Sequence, residues 1–272
     1  IYIVEGQLYQ VERLDFDNRK AYVREVDCDY YTDAIVYTNV TILDEFACGA
    51  GEDASLAADE ERDVEALIEA ASRGALAAPE PRPVDEATRS HGEVHVVSRV
   101  VGFKKIKFYT NENVGAGDLS LPEQPMHTTA YWVTIPRAVV AQLPGTNEHR
   151  RDGIAGLAYA MRNIAQLLLM CDRQDLGLSV NTDGLTGGED GGGAATDPRI
   201  FLYDNYPGGI GFSQPLFVLH DRLIADTRTL IGDCACEIGC PSCVGPLGDV
   251  GPRAKALALA LTRLIGPAVE RP

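Results

Sequence analysis

A chain of 272 residues is long enough to bury a full hydrophobic core, as one large domain or as two unequal ones. Its 45% hydrophobic and 24% charged residues exclude a disordered composition, and a formal charge of -16 works against nonspecific adhesion to nucleic acid or anionic membrane. A local basic groove is still compatible with that balance, because salt confines exposed charges to about 8 Å.

Residues 1–46 are rich in Tyr, Val and Ile and are broken by Glu5-Gly6 and Asp17-Asn18. Alternation through Ala21-Tyr-Val-Arg-Glu-Val26 predicts half-buried antiparallel strands joined by hairpin turns. Residues 47–58, small and acidic, read as a loop, and Val64, Leu67, Ile68 and Ala71 predict a short helix over 59–73. Pro79, Pro81 and Pro83 mark 76–93 as a linker or exposed loop. Strands are expected at 94–109 and 128–135, and a helix over 154–171 whose apolar stripe is Leu157, Met161, Ile164, Leu168 and Cys171.

The stretch 184–196 is glycine-rich and acidic and reads as a mobile insertion before a short strand at 200–203. Phe212, Leu216, Leu219, Leu223 and Leu230 predict a further helix, and Leu257, Leu261 and Leu264 share one face of a last helix over 253–265. The fold class is therefore α+β. Antiparallel strands form the N-terminal part (1–75), and a mixed β-sheet with helices surrounds the late cysteines (94–272). No run approaches about 18 consecutive apolar residues, so neither a membrane span nor a membrane partner is expected.

Four of the seven cysteines crowd into Cys234-Ala-Cys236-Glu-Ile-Gly-Cys240-Pro-Ser-Cys243, a C-x-C-x3-C-x2-C pattern. Four thiolates suit one structural Zn²⁺ and leave no position for an activated water. An iron–sulfur cluster is the minor alternative, and free or disulfide-bonded cysteines the bland one. Gly239 relieves the chain before the third ligand and Pro241 restricts the turn to the fourth. The metal should pin the preceding helix against the last one. Cys28, Cys48 and Cys171 stand alone in a chain that is neither small nor led by a signal peptide, so a reducing, cytoplasmic location is expected. The start at Ile1, without Met, suggests a piece of something longer.

Other motifs establish no active site. Asp85-Glu-Ala-Thr88 resembles the acidic box of a motor but follows prolines and lacks a phosphate loop. Pro207-Gly-Gly-Ile-Gly211 offers amides for an anion, a phosphate of a nucleic-acid backbone, although glycines there serve packing equally. Lys104, Lys105 and Lys107, interleaved with Phe103, Phe108 and Tyr109, have the residue types of phosphate contact and base stacking; an ordinary solvated strand has them too. His91, His95, His127 and His149 read as surface or strand residues, and His220 sits fourteen residues before a cluster that already has its ligands. Asp172 and Asp175 either pair or cap a turn, and Tyr131 and Trp132 fall on opposite strand faces.

At the cysteines and the upstream glycines the chain resembles the C-terminal zinc-binding domain of MrfA-type DEAD/DEAH-box DNA helicases, formerly a domain of unknown function. The matching stretches are Ala21-Tyr-Val-Arg-Glu-Val-Asp-Cys-Asp-Tyr-Tyr-Thr32, Leu167-Leu-Leu-Met-Cys-Asp-Arg-Gln-Asp-Leu-Gly177, Tyr203-Asp-Asn-Tyr-Pro-Gly-Gly-Ile-Gly211 and the cluster itself. The resemblance implies a fragment of a superfamily 2 helicase whose motor domains lie upstream and whose relatives move on single-stranded DNA with ATP in DNA repair. It carries the zinc ligands over to Cys234, Cys236, Cys240 and Cys243. Tyr203, Asp204, Gly208, Gly209 and Gly211 carry over as a family feature without a catalytic role. On this reading the chain is an accessory domain, not itself an enzyme, that stabilises the helicase and guides single-stranded DNA. The competing classes are an interaction module for the motor or a repair protein, and an iron–sulfur or hydrolytic enzyme.

Overall fold

The computed structural model describes residues 1–16, 18–50, 86–185, 196–246 and 250–266. The helix expected over 59–73, residues 76–85 of the linker and most of the 184–196 insertion lie outside the described residues. Two compact units emerge: residues 1–39 with 96–125, and residues 40–95 with 126–272. Two long strands, β4 (Tyr30–Ala50) and β5 (Thr88–Lys107), each contribute residues to both.

In the first unit β1 (Tyr2–Val4), β2 (Gln7–Asp15) and β3 (Lys20–Glu25) form an antiparallel three-stranded sheet. Val4 pairs with Gln7, so Glu5 and Gly6 make a two-residue turn with φ of 49° and 82°. Positive φ at both positions is the backbone twist that suits a tight hairpin. The lysine-bearing half of β5 pairs antiparallel with β6 (Asn113–Asp118), a strand hidden from sequence reading by its glycines.

The second unit carries the core. Its sheet runs in the order β4-β5-β7-β9-β8, where β7 is Gln124–Thr134, β8 Leu176–Asn181 and β9 Arg199–Asp204. Tyr131 and Val133 of β7 enter the main core, whereas Trp132 packs at a tilt against Phe201 at 5.9 Å, as strand alternation requires. Two expectations are corrected here: β4 continues through residues 47–50, and β5 takes up 88–93. Their polar side chains read as loop but find internal partners. Ser90 Oγ donates to Glu45 Oε1 at 2.8 Å, and buried Arg89 lies 3.3 Å from Asp221.

Helix α1 (Arg137–Ala141) precedes the central α2 (Asn147–Leu169). Thr146 caps α2 reciprocally, its Oγ1 accepting the His149 amide while the His149 ring accepts the Thr146 amide. The helix thus starts two turns before the expected 154. Its buried stripe, including Ile154, Leu157, Met161 and Ile164, packs on the sheet and on α3 (Ser213–Val218), α4 (His220–Asp233) and α5 (Ala254–Ile265). The one helix expected after residue 211 is two, divided at Leu219. At Gly153 a Cβ would come within 2.6 Å of Leu257 Cβ, so α5 approaches α2 more closely than any larger residue allows. Truncating a fully buried side chain such as Leu157 to Ala should cost about 2–5 kcal/mol.

Candidate metal centre

Helix α4 stops at Cys234, whose φ of -67° and ψ of 124° turn the chain into an extended path. The loop that follows folds back on itself before α5. Cys240 O accepts the amides of Cys243, Val244 and Gly245 at 3.1, 3.2 and 3.2 Å, curling the third and fourth ligands together. Gly239 has φ of 123°, and a Cβ there would lie 2.6 Å from Val244 Cγ2.

The four sulfurs all lie within 4.8 Å of one another. The Cys234–Cys236, Cys234–Cys240, Cys236–Cys243 and Cys240–Cys243 separations are 3.4, 3.6, 3.5 and 3.6 Å. A disulfide needs about 2.05 Å, so none of these is one. Four sulfurs at about 2.3 Å around one ion stand about 3.8 Å apart. The donor set therefore fits a closed tetrathiolate site. Bound there, a metal would supply cross-linking and no open coordination position.

The surroundings complete the fit. Cys240 N points at Cys243 Sγ at 3.4 Å, a backbone donor to a thiolate. Lys255 of α5 sends Nζ to the carbonyls of Cys234, at 2.6 Å, and Cys236. Its charge offsets part of the two units of excess negative charge that four thiolates leave around a divalent ion. Cys243 and Val244 are buried in the core, and Asn163 of α2 reaches Ser242 O at 3.4 Å. The loop is thus bound to α2, α4 and α5 together. Sequence reading missed Lys255, although it is the sole charged residue in the otherwise apolar 254–261.

The glycine loop has a different occupant from the one considered. Gly208, Gly209 and Gly211 have φ of 84°, 75° and 95° and turn successive amides inward. Asp204 Oδ2 accepts those of Ile210, Gly211 and Phe212 at 2.6, 2.8 and 3.3 Å, and the Thr129 hydroxyl at 3.1 Å. The nest is filled by a buried carboxylate of the protein itself, which leaves no room for phosphate. Tyr203 is buried beside it on β9.

The remaining candidates are dispersed. Lys105 lies over the Tyr30 ring at 5.3 Å and Lys107 pairs with Asp29 at 3.6 Å, while Lys104 is half-buried. Phe108 packs on Tyr31 at 5.6 Å, Phe103 covers Gly117, and Tyr109 is fully exposed. His220 lies within the core, its Nδ1 2.5 Å from the Tyr131 hydroxyl. His95 stacks on His127 at 4.6 Å, and His91 lies between Phe46 and Phe217. Asp175 accepts the Asp172 amide and the Tyr206 hydroxyl at 2.9 and 2.6 Å, so these two acids cap a turn. Among the described residues the four cysteines are the only group of three or more His, Cys, Asp or Glu placed to hold a metal. No helix there is long and apolar enough to cross a membrane.

Four cysteine sulfurs gathered on an α+β scaffold define a site suited to hold a metal ion. Residues 157–244 match the MrfA Zn-binding domain, and the chain is similar to the zinc-binding part of MrfA-type helicases. It is 34% identical over 245 residues to the ATP-dependent helicase YprA of Bacillus subtilis (strain 168), covering 90% of this chain and 27% of that protein. It is also similar to a crystal structure of the DUF1998 helicase MrfA bound to DNA, at 31% identity and a TM-score of 0.57, over 97% of this chain and 29% of the other. A second MrfA structure gives 26% identity and a TM-score of 0.53 over 96% and 29%. The chain thus spans about a quarter of the length of the relatives it matches.

Proposed function

We propose that the chain is the accessory zinc domain of a superfamily 2 DNA repair helicase of the DEAD/DEAH-box type, stabilising the motor and guiding single-stranded DNA past it. The observation that carries this is the 34% identity to an ATP-dependent helicase along 90% of the chain, with the four sulfurs gathered as a zinc site needs. ATP hydrolysis belongs to the motor domains of the longer protein, which is cytoplasmic. The proposed ion is Zn²⁺, and sulfurs packed closely enough to bond a single metal atom support that reading over an iron–sulfur cluster. The test is to measure DNA-stimulated ATPase of the full-length protein with and without the cysteines. Cys236→Ser with Cys240→Ser should weaken DNA stimulation while residual DNA-free hydrolysis persists. Unchanged stimulation would overturn the reading.

A second reading has its own support. The β1–β3 sheet leaves Tyr2, Ile3, Val11, Leu14, Tyr22 and Val23 exposed, more apolar surface than so small a sheet gains from showing to water. Its occupant on this reading is the motor part of the same polypeptide. Tyr22→Glu with Val11→Lys should then loosen the domain from the motor under limited proteolysis, and an unchanged digestion pattern would count against it.

A further inference from the structure

On the outer face of α2, Tyr159, Arg162, Asn163 and Gln166 follow one another at helical spacing. The Arg162 guanidinium lies 5.3 Å from the Tyr159 ring centroid, and that of Arg173, beyond the helix end, lies 5.7 Å from the same centroid. The ring also packs against Gly245 of the cysteine loop, where a Cβ would sit 3.2 Å from Tyr159 Cδ2. One aromatic side chain thus holds two like charges beside the metal loop.

In a chain carrying 40 acidic against 24 basic residues, neighbouring carboxylates would be expected to neutralise such a pair. They do not. Among the described residues neither guanidinium forms an ion pair or hydrogen bond. Of the acids nearby in sequence, Asp175 is taken by Tyr206 and by the Asp172 amide. Arg173 is exposed and Arg162 is half-buried, with its Nε and the Nε2 of Gln166 buried without acceptors beneath the face. Burial, and then the charge of Arg173, lower the proton affinity of Arg162, as two unscreened cations close together should. The face has an excess of positive charge, pre-oriented by cation–π contact.

We propose that Arg162 and Arg173 form a phosphate-contact site for single-stranded nucleic acid on the zinc domain, with Tyr159 positioning both guanidiniums. The ring is already covered, so it orients the arginines rather than stacking a base. Contact is to the backbone and independent of sequence. The Asn163–Ser242 hydrogen bond and the Gly245–Tyr159 contact couple the site to the cysteine loop. The proposal rests on the single-strand-guiding reading above and gives that strand a place of contact on this domain.

Fluorescence anisotropy of a labelled single-stranded oligonucleotide with the zinc-loaded protein, over a salt series, tests it. Arg162→Ala with Arg173→Ala should lower affinity about tenfold at low salt and flatten the slope of log K against log salt by about 1.4, the value for two phosphates on a single strand. Arg173→Glu alone, at an exposed position that leaves the fold intact, should also weaken binding. Wild-type affinity and slope in both variants would overturn the site while leaving the single-strand reading standing. No binding by the wild-type protein would overturn both. Competition by polyglutamate as strong as by an unlabelled oligonucleotide of equal charge would reassign the patch to an acidic protein segment.

Discussion

Lys255 Nζ donates to the Cys234 carbonyl at 2.6 Å, so the last helix is tied directly to the first sulfur ligand. The same ammonium serves the Cys236 carbonyl, and one side chain therefore fixes both ends of the C-x-C pair. Lys255→Met keeps the aliphatic stem and removes the donor. The expected loss is about 1–3 kcal/mol for the carbonyls left without it. Denaturant melts of the metal-loaded protein check this, and an unchanged midpoint would show the contact to be dispensable.

Asp204 does for the glycine loop what Lys255 does for the cysteine loop. Its Oδ2 gathers three consecutive amides just ahead of α3. Asp204→Asn keeps the shape and one acceptor but removes the charge, and should cost about 1–3 kcal/mol. Amide exchange at Ile210, Gly211 and Phe212 should accelerate more than exchange in α2. Equal protection in the variant would contradict the role given to the carboxylate.

His220 predicts a pH dependence. Burial first, and then the Arg89 charge, hold its imidazole down at about 4, against an ordinary 6.5. The folded state therefore keeps it neutral while the unfolded chain protonates it. Its contribution is complete above pH 6.5 and is lost as pH falls toward 4, at up to about 1.4 kcal/mol per pH unit. His220→Gln should flatten that part of the stability–pH curve. Wild-type and variant curves that run parallel between pH 6.5 and 4 would sink the assignment.

Gly239→Ala probes the loop backbone. The new Cβ meets Val244 Cγ2 at 2.6 Å, and φ of 123° is closed to alanine. Metal affinity should fall by about tenfold or more while far-UV circular dichroism stays close to wild type. Wild-type affinity would mean that the turn tolerates another path.

The cysteine cluster was legible because its four members lie within ten residues and report themselves by spacing alone. The core stripe of α2 was legible for a similar reason, since Leu157, Met161 and Ile164 repeat on one face. The start of α2 was not. Residues 147–152 are polar, and the cap is a Thr146–His149 pair in place of the usual acidic partner. The strand at 88–93 was hidden because its polar side chains are paid for by distant partners, Glu45 and Asp221, that no local pattern shows. The glycine loop illustrates the same limit. Its amides announce an anion, but only the fold shows that the anion is Asp204, a few residues upstream.

The most direct test is X-ray absorption at the zinc edge on the purified protein, together with metal analysis. The expected result is one zinc per chain with four sulfur neighbours at about 2.3 Å, and a drop of about 10 °C or more in melting temperature when a strong chelator removes it. A metal-free protein that melts at the same temperature, or an ion bound by fewer than four sulfurs, would contradict the account.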